Sequence, residues 1–277
     1  MIKRIHMRSF FFAVVILVML AFISLFPLVL VLVNSFKTHL EILKNPLSLP
    51  TQFHFENYAY SWKAGKFGEG FINSIKLTGT AIIVGVIAST GMGYVLATRR
   101  IKPWKAFSLY FLLATTVPLQ MFMLPLYSTF NKLDLIGNVF AIGVAIAAWD
   151  LPLPVFLMRT YFLKIPLELE ESARIDGAST WQALKYIVFP LASPGMVTVA
   201  CIIGLFSWNE YLLSTTFLQS EKNFTATLKF LGLNGTFSRD YSVIMSGAMI
   251  MVVPMVIVFL LLQKQFIEGI TGGAVKG

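Results

Sequence analysis

Apolar residues recur along the chain in long runs, and polar and charged residues collect between the runs. Six runs predict membrane-spanning helices: Phe10–Val33, Phe71–Ala97, Ala106–Phe130, Asn138–Met158, Gly195–Phe217 and Tyr241–Gln263. An α-helix rises about 1.5 Å per residue, so each run is long enough to cross a hydrocarbon core of about 30 Å. Helices are expected because lipid offers no partner for an unpaired backbone group. The pattern predicts an all-α polytopic membrane protein with six transmembrane helices.

Composition supports this prediction and excludes several other classes. Of the 277 residues, 57% are hydrophobic and 13% are charged, against about 25% charged in an ordinary soluble domain. The basic residues behind the net charge of +9 form no single stripe, so no nucleic-acid partner is predicted. The single cysteine, Cys201, lies inside an apolar run and excludes a disulfide framework. The expected surroundings are membrane lipid.

Basic residues between the runs predict the orientation. The short segment after the second run contains Arg99, Arg100, Lys102 and Lys105, and short cytoplasmic loops are enriched in such residues. Both termini are therefore predicted to be cytoplasmic. The first run is too long for a signal peptide and no small-residue cleavage site follows it, so we expect it to stay attached as an anchor.

This orientation divides the chain into three regions. Residues 1–70 are expected to form the anchor helix and an extracytoplasmic loop. Residues 71–263 are expected to form the transmembrane core, which includes a cytoplasmic loop at 161–194. Residues 264–277 are expected to form a cytoplasmic tail.

Prolines and glycines interrupt several runs. The prolines are predicted to kink the third, fourth and sixth helices, and they are Pro118, Pro125, Pro152, Pro154 and Pro254. The glycines of the second run are predicted to permit close helix approach, and they are Gly79, Gly85, Gly91 and Gly93.

The cytoplasmic loop has the signals of two short helices. Pro166 and the acidic residues after it suit a helix start, and Gly177 suits its end. Ser179 and Gln182 have the spacing of a capping box that starts a second helix. Pro190 and Pro194 are predicted to end that second helix before the next membrane-spanning run.

This loop resembles the conserved loop of ABC importer permeases, which is Glu-Ala-Ala, three residues, Gly, nine residues, Ile-x-Leu-Pro. The corresponding residues here are Glu171–Ser172–Ala173, Gly177 and Ile187–Val188–Phe189–Pro190, with both spacings intact. Ser172 and Phe189 are the two departures. Asp176–Gly177–Ala178–Ser179 is typical of the carbohydrate branch of the family.

The resemblance extends over nearly the whole chain, which is similar to the smaller permease of maltose-type and related oligosaccharide importers. Shorter matching pieces include Asn73–Ser74, Val117–Pro118–Leu119–Gln120, Trp208–Asn209–Glu210 and the tail Gly269–Gly277. The resemblance implies the type I ABC importer permease fold in a bacterial cytoplasmic membrane. It also implies import of a carbohydrate by alternating access.

The resemblance implies a set of partners as well. They are a second homologous permease, two copies of an ABC ATPase and an extracytoplasmic solute-binding protein. The residues implied to couple this chain to the ATPase are Glu171, Ser172, Ala173, Asp176, Gly177, Ile187 and Pro190. Glu171 is the candidate for a charge-assisted bond to a basic residue of the ATPase.

No cofactor is predicted on this chain. It lacks the G-x-x-x-x-G-K-[ST] phosphate loop, so ATP and Mg are expected to be used by the partner ATPase. The three histidines, His6, His39 and His54, lack metal-ligand spacing, so no metal site is predicted. No nucleophile–base set is evident, and we expect a transport subunit with no catalytic residues.

Polar residues inside the predicted spans are candidates for the substrate pathway, because ionisable groups are costly in lipid. These candidates are Asp150, Trp208, Asn209, Glu210 and Tyr211. Carboxylates and amides bond sugar hydroxyls, and aromatic faces stack on sugar C–H surfaces. Two alternatives stay open: Asn209 and Glu210 could instead make a hydrogen bond that packs the helices, or the partner permease could hold the substrate contacts.

Other functions also stay open at this stage. An importer of the same architecture could carry another small polar solute, such as a glycerol phosphate, and the sequence does not identify the sugar. An ion-coupled secondary transporter would be expected to contain inverted repeats, and none is evident. It would also leave the ATPase-docking loop unexplained.

Overall fold

A computed structural model describes residues 7–98, 101–236 and 240–274. Regular structure within these ranges is helical throughout. Arg99 and Arg100, on which the predicted orientation depends, lie outside the described residues, as do residues 275–277 of the predicted tail.

The helices follow one another closely along the chain. The first seven are α1 (Met7–Asn34), α2 (His39–Lys44), α3 (Glu56–Ala64), α4 (Phe67–Thr98), α5 (Trp104–Ala114), α6 (Met123–Lys132) and α7 (Val139–Asp150). The rest are α8 (Pro152–Phe162), α9 (Glu168–Ile175), α10 (Thr180–Ala183), α11 (Phe189–Trp208), α12 (Leu212–Phe217), α13 (Ala226–Thr236) and α14 (Tyr241–Ala274). Shorter turns lie between some of them: 3₁₀ turns at Leu119–Phe122 and Glu221–Asn223 and a π turn at Leu184–Val188.

Four described helical segments are long and apolar enough to cross a membrane: Phe10–Asn34, Phe67–Thr98, Thr180–Trp208 and Tyr241–Gln265. The third and fourth predicted runs are instead bent pairs of helices. The axes of Trp104–Ala114 and Leu119–Lys132 differ by 98°, and those of α7 and α8 differ by 60°. Both breaks lie beside prolines that were predicted to kink these runs, at Pro118 and Pro152. The described residues therefore contain four candidate spans, or up to six if each bent pair is one span.

The chain divides into two compact units. One contains residues up to Phe67 together with Lys229–Met255, and the other contains Gly68–Leu228 together with the residues from Val256 onward.

In the first unit, the segment between α1 and α4 is folded. The side chain of Lys37 is fully buried, and its Nζ donates to the carbonyl oxygen of Asn45 at 3.2 Å and to Ser48 Oγ at 3.3 Å. Burial lowers the pKa of Lys37, and the charge of Glu41 opposes that shift. In contrast, the most apolar part of α1 is not buried at all within this chain. Its surface is therefore available to lipid or to another protein chain.

The second unit contains the larger core, to which four helices contribute most. Leu77, Ile142, Met158 and Ile203, from α4, α7, α8 and α11 respectively, are each at most 3% exposed. Close packing against α4 depends on glycine at some positions only. A Cβ atom on Gly93 would lie 2.7 Å from Met158 Cβ.

The other α4 glycines divide into two kinds. A Cβ on Gly85 would lie 2.5 Å from Ile203 Cδ1, whereas a Cβ on Gly79 or Gly91 would meet no described atom within 4 Å. The prediction of close helix approach is therefore confirmed for Gly85 and Gly93, and it stays a prediction for Gly79 and Gly91.

Gly93→Ala and Gly91→Ala form a matched pair in one helix. Alanine is favoured over glycine in a helix interior by about 1 kcal/mol, so Gly91→Ala should be neutral or slightly stabilising. Gly93→Ala should lower stability by about 1–3 kcal/mol, because the methyl group forces α4 away from the backbone of α8. Thermal unfolding of the purified chain in detergent measures the difference. Equal melting temperatures for the two variants would show that this helix contact is not close.

Candidate functional site

The end of α9 is a local structure that requires glycine. Gly177 has φ of +88°, its N–H donates to the carbonyl of Arg174 at 3.1 Å, and the N–H of Ala178 donates to the carbonyl of Ala173 at 2.9 Å. This pair of bonds is the Schellman motif, in which a left-handed residue ends a helix. The predicted glycine turn at the end of α9 is therefore confirmed. The helix begins at Glu168, two residues later than Pro166.

The second loop helix starts as predicted. The backbone N–H of Gln182 donates to Ser179 Oγ at 3.3 Å, and the N–H of Ser179 donates to Gln182 Oε1 at 2.7 Å. These two bonds form the capping box.

The prediction that Pro190 and Pro194 end this helix is wrong, because the helical segment continues from Thr180 to Trp208. The π turn changes the hydrogen-bond register before Pro190: the N–H of Phe189 donates to the carbonyl of Leu184, five residues earlier. Pro194 cannot donate to the carbonyl of Pro190, and the hydroxyl of Ser193 donates to that oxygen instead, at 2.8 Å.

The predicted coupling residues divide into an exposed and a buried group. Glu171, Ser172, Asp176, Gly177 and Pro190 are exposed. Ala173 is buried within this chain and Ile187 is half-buried, so these two pack the loop against its own protein. The acidic and glycine residues of the motif are therefore accessible within this chain.

Apolar residues of the same loop are exposed as well. They include Ile175, which is 85% exposed, together with Leu167, Trp181 and Tyr186. A cavity of about 220 Å³ opens at the base of α9 and is lined by Thr98, Leu167, Glu170, Glu171 and Arg174. Arg174 neutralises Glu170 within this lining, so Glu171 is the carboxylate that suits a basic side chain of a protein partner.

One acidic residue of α9 was not predicted as a site residue. Glu170 is only 4% exposed. Its Oε2 accepts a hydrogen bond from the hydroxyl of Tyr94 at 2.8 Å, and its Oε1 accepts from Arg174 Nη2 at 2.9 Å. The four-residue spacing of Glu170 and Arg174 is readable in the sequence as a helical ion pair. Nothing in the sequence indicates that this glutamate, among three in the first turn, points inward to α4.

The residues predicted to line the substrate pathway lie at two helix breaks. Glu210 follows the end of α11, and its carboxylate accepts from the backbone N–H groups of Leu213 and Ser214 and from the Ser214 hydroxyl. It therefore caps α12. Asn209 donates from Nδ2 back to the carbonyl of Leu205 at 2.8 Å, which satisfies the end of α11.

The other three candidates for the substrate pathway are Tyr211, Trp208 and Asp150. Tyr211 is exposed. The ring of Trp208 lies 5.7 Å from that of Phe71, and its buried indole N–H has no hydrogen-bond partner within the described part of the chain. Asp150 lies where α7 meets α8 and is half-buried. Asp150 and Glu210 thus lie at two separate helix breaks.

Comparison with known proteins identifies the family. The family described as "Binding-protein-dependent transport system inner membrane component" matches residues 81–270. The arabinooligosaccharides transport system permease protein AraQ of Halalkalibacterium halodurans is 32% identical over 93% of both chains. The melibiose/raffinose/stachyose import permease protein MelC of Bacillus subtilis is 35% identical over 82% of this chain and 83% of that protein.

A solved structure has the same fold. It is that of a bacterial ABC transporter involved in the import of the acidic polysaccharide alginate, and it matches with a TM-score of 0.80 at 23% identity over 96% of this chain and 99% of that chain. The family match covers more than half of the chain, and relatives above 30% identity align over most of it. The chain therefore belongs to the binding-protein-dependent transport system inner membrane components, the permease subunits of ABC importers.

Proposed function

We propose that this chain is a permease subunit of an oligosaccharide importer in a bacterial cytoplasmic membrane. The observation that carries the proposal is the 161–194 loop, where a glycine-ended helix exposes Glu171 and Ile175 beside a cavity. Such a surface receives energy from a partner, because the chain contains no phosphate loop of its own. The oligosaccharide assignment rests on the names of the relatives.

The proposed topology has six spans with both termini in the cytoplasm. Counting each bent pair as one span supports the number six. The orientation rests on basic residues, and Lys102, Lys105 and Lys164 lie on the side assigned to the cytoplasm.

The proposed assembly contains a second permease, two ATPase copies that use ATP and Mg, and an extracytoplasmic solute-binding protein. The family description supports the last of these, since it names binding-protein-dependent transport. On this proposal Glu171 bonds a basic side chain of the ATPase at the cavity beside α9, and the apolar side chains of Ile175 and Trp181 contact the ATPase around it.

The substrate pathway is proposed to pass the helix breaks at Asp150 and at Trp208–Tyr211. The carboxylate of Asp150 makes no hydrogen bond with any described residue, so its oxygens are available to a sugar hydroxyl, whereas those of Glu210 already cap α12. Two carboxylates along the proposed pathway, those of Asp150 and Glu210, repel an anionic solute. This favours a neutral sugar over a glycerol phosphate.

Transport assays on the whole importer test the proposal. In proteoliposomes that contain this chain, its partner permease and the ATPase, uptake of a labelled neutral oligosaccharide should require both ATP and the solute-binding protein. Arabino-oligosaccharides and raffinose are the first substrates to try, and glycerol 3-phosphate is the negative comparison. Uptake driven by a proton or sodium gradient without ATP would contradict the proposal.

Variants of Gly177 test whether the loop contacts a partner. Gly177→Ala and Gly177→Leu both force a non-glycine residue to a positive φ, at a cost of about 1–2 kcal/mol. A Cβ at this position meets no described atom within 4 Å, and Gly177 is exposed, so a side chain begins in open space within the described part of the chain. We expect both variants to accumulate in the membrane and leucine alone to abolish uptake and ATPase stimulation by loaded binding protein. Equal activities of the two variants would show that no partner lies close to Gly177.

Asp150→Asn and Glu210→Ala should separate substrate contact from helix capping. Asp150→Asn should raise the KM for uptake by about 10-fold or more, as expected for a lost charge-assisted hydrogen bond, and should leave the melting temperature unchanged. Glu210→Ala should lower stability by about 1–2 kcal/mol, because it removes the cap of α12. A normal KM for Asp150→Asn would place the sugar contacts on the partner permease.

A further inference from the structure

A buried carboxylate on the inner side of α9, that of Glu170, joins this helix to α4, the second candidate span. Glu170 is 4% exposed and Tyr94, in α4, is 7% exposed. The Tyr94 hydroxyl donates to Glu170 at 2.8 Å, across 76 residues of sequence. Arg174, one helical turn further along α9, neutralises the same carboxylate at 2.9 Å.

A carboxylate in this position is a costly way to pack a helix. A buried charge needs both a counter-charge and hydrogen-bond donors, and an apolar residue would pack α9 without either. Here the counter-charge comes from α9 itself and the Tyr94 hydroxyl comes from α4. The bond from Tyr94 therefore adds direction to the contact, since it holds only while the two helices keep their relative position.

Tyr94 is also held firmly within its own unit. Its ring lies 5.6 Å from that of Phe162, in an edge-on arrangement, and Phe162 is buried in α8. A movement of α9 that keeps the bond to Tyr94 must therefore move α4, because the ring cannot swing away without losing this packing.

The far end of α4 is bonded as well. Asn73 Nδ2 donates to the carbonyls of Lys222 at 2.8 Å and Phe224 at 3.1 Å, and Ser74 Oγ accepts from the N–H of Ala226 at 3.0 Å. Asn73 and Tyr94 are 21 residues apart in one unbroken helix, which corresponds to about 30 Å. Hydrogen bonds at the two ends of α4 thus connect the cytoplasmic loop to the segment at 222–226.

We propose that the Tyr94–Glu170 bond couples movement of α9 to α4, and through α4 to the segment at 222–226. The pair consists of positioning residues, which act through the helices that carry them. The proposal rests on the proposed function, in which the ATPase moves α9. On this proposal the two sides of α9 have different roles: Glu171 faces the ATPase, and Glu170 faces α4.

Tyr94→Phe removes only the hydroxyl and keeps the packed ring. Tyr161→Phe is the matched control, because Tyr161 Oη bonds Thr198 Oγ1 at 3.3 Å between α8 and α11 and lies outside the α9–α4 contact. Glu170→Gln is the second variant, for use if Tyr94→Phe fails to accumulate. It keeps an acceptor for Tyr94 and removes the charge, so sugar taken up per ATP should fall below the wild-type ratio, and an unchanged ratio would overturn the proposal.

The first measurement uses the complete importer in proteoliposomes and records ATP hydrolysis and sugar uptake in the same sample. Tyr94→Phe should still assemble with the ATPase and keep basal hydrolysis within about twofold of wild type, while sugar taken up per ATP falls by about fivefold or more. Tyr161→Phe should keep the wild-type ratio. An unchanged ratio in Tyr94→Phe would overturn the proposal.

The second measurement does not depend on transport. Hydrogen–deuterium exchange of the assembled complex, with and without ATP, is compared at α9 and at residues 219–226. ATP should alter exchange at both places in wild type and Tyr161→Phe, but only at α9 in Tyr94→Phe. A wild-type response confined to α9, or a response at both places in Tyr94→Phe, would overturn the coupling. If wild type exchanges as expected but takes up no sugar, the proposed substrate is wrong and the coupling stands.

Discussion

The structure depends on one constraint, which is that a hydrocarbon solvent cannot bond to the backbone. Every N–H and C=O in a span must therefore find a partner inside the protein. Where the spans are continuous, the helix supplies the partners. Where they break, short polar side chains do so: Glu210 caps α12, Asn138 caps α7, and the hydroxyls of Thr115 and Thr116 bond carbonyls at the end of α5. Polar residues in an apolar run thus mark breaks as well as binding sites.

This constraint explains what the sequence could and could not predict. Hydrophobic runs and prolines predict where helices lie and where they bend, because both are local properties. They do not predict the degree of bending, such as the 98° between the two parts of the third run, since that angle is set by packing. The prediction that Pro190 and Pro194 end a helix is wrong for a similar reason. A helix can continue through a proline when the carbonyl that the proline leaves unpaired finds another donor. Here the hydroxyl of Ser193 bonds the carbonyl of Pro190, and a π turn changes the hydrogen-bond register before Pro190.

The candidate site likewise contains some features that the sequence predicts and others that it does not. The Schellman end at Gly177 and the capping box at Ser179 are predictable because their bonds join residues within six positions of each other. The inward direction of Glu170 is not predictable. Glu168, Glu170 and Glu171 all suit the first turn of a helix, and only the position of α4 decides which of them is buried. The same applies to the α4 glycines, where a Cβ on Gly93 would collide with α8 and a Cβ on Gly91 would meet no described atom within 4 Å.

The contrast between broken and unbroken helices bears on how a movement could cross this protein. The bent pairs α5–α6 and α7–α8 contain turns whose angles can change while the helices on either side stay intact. In contrast, α4 is continuous over 32 residues, so a displacement at Tyr94 reaches Asn73 without loss in an intervening turn. The continuous helix is bonded near both ends, whereas the break between α7 and α8 holds the carboxylate of Asp150. On the proposed mechanism, α4 transmits the movement of α9, and the bent pairs change shape around a solute.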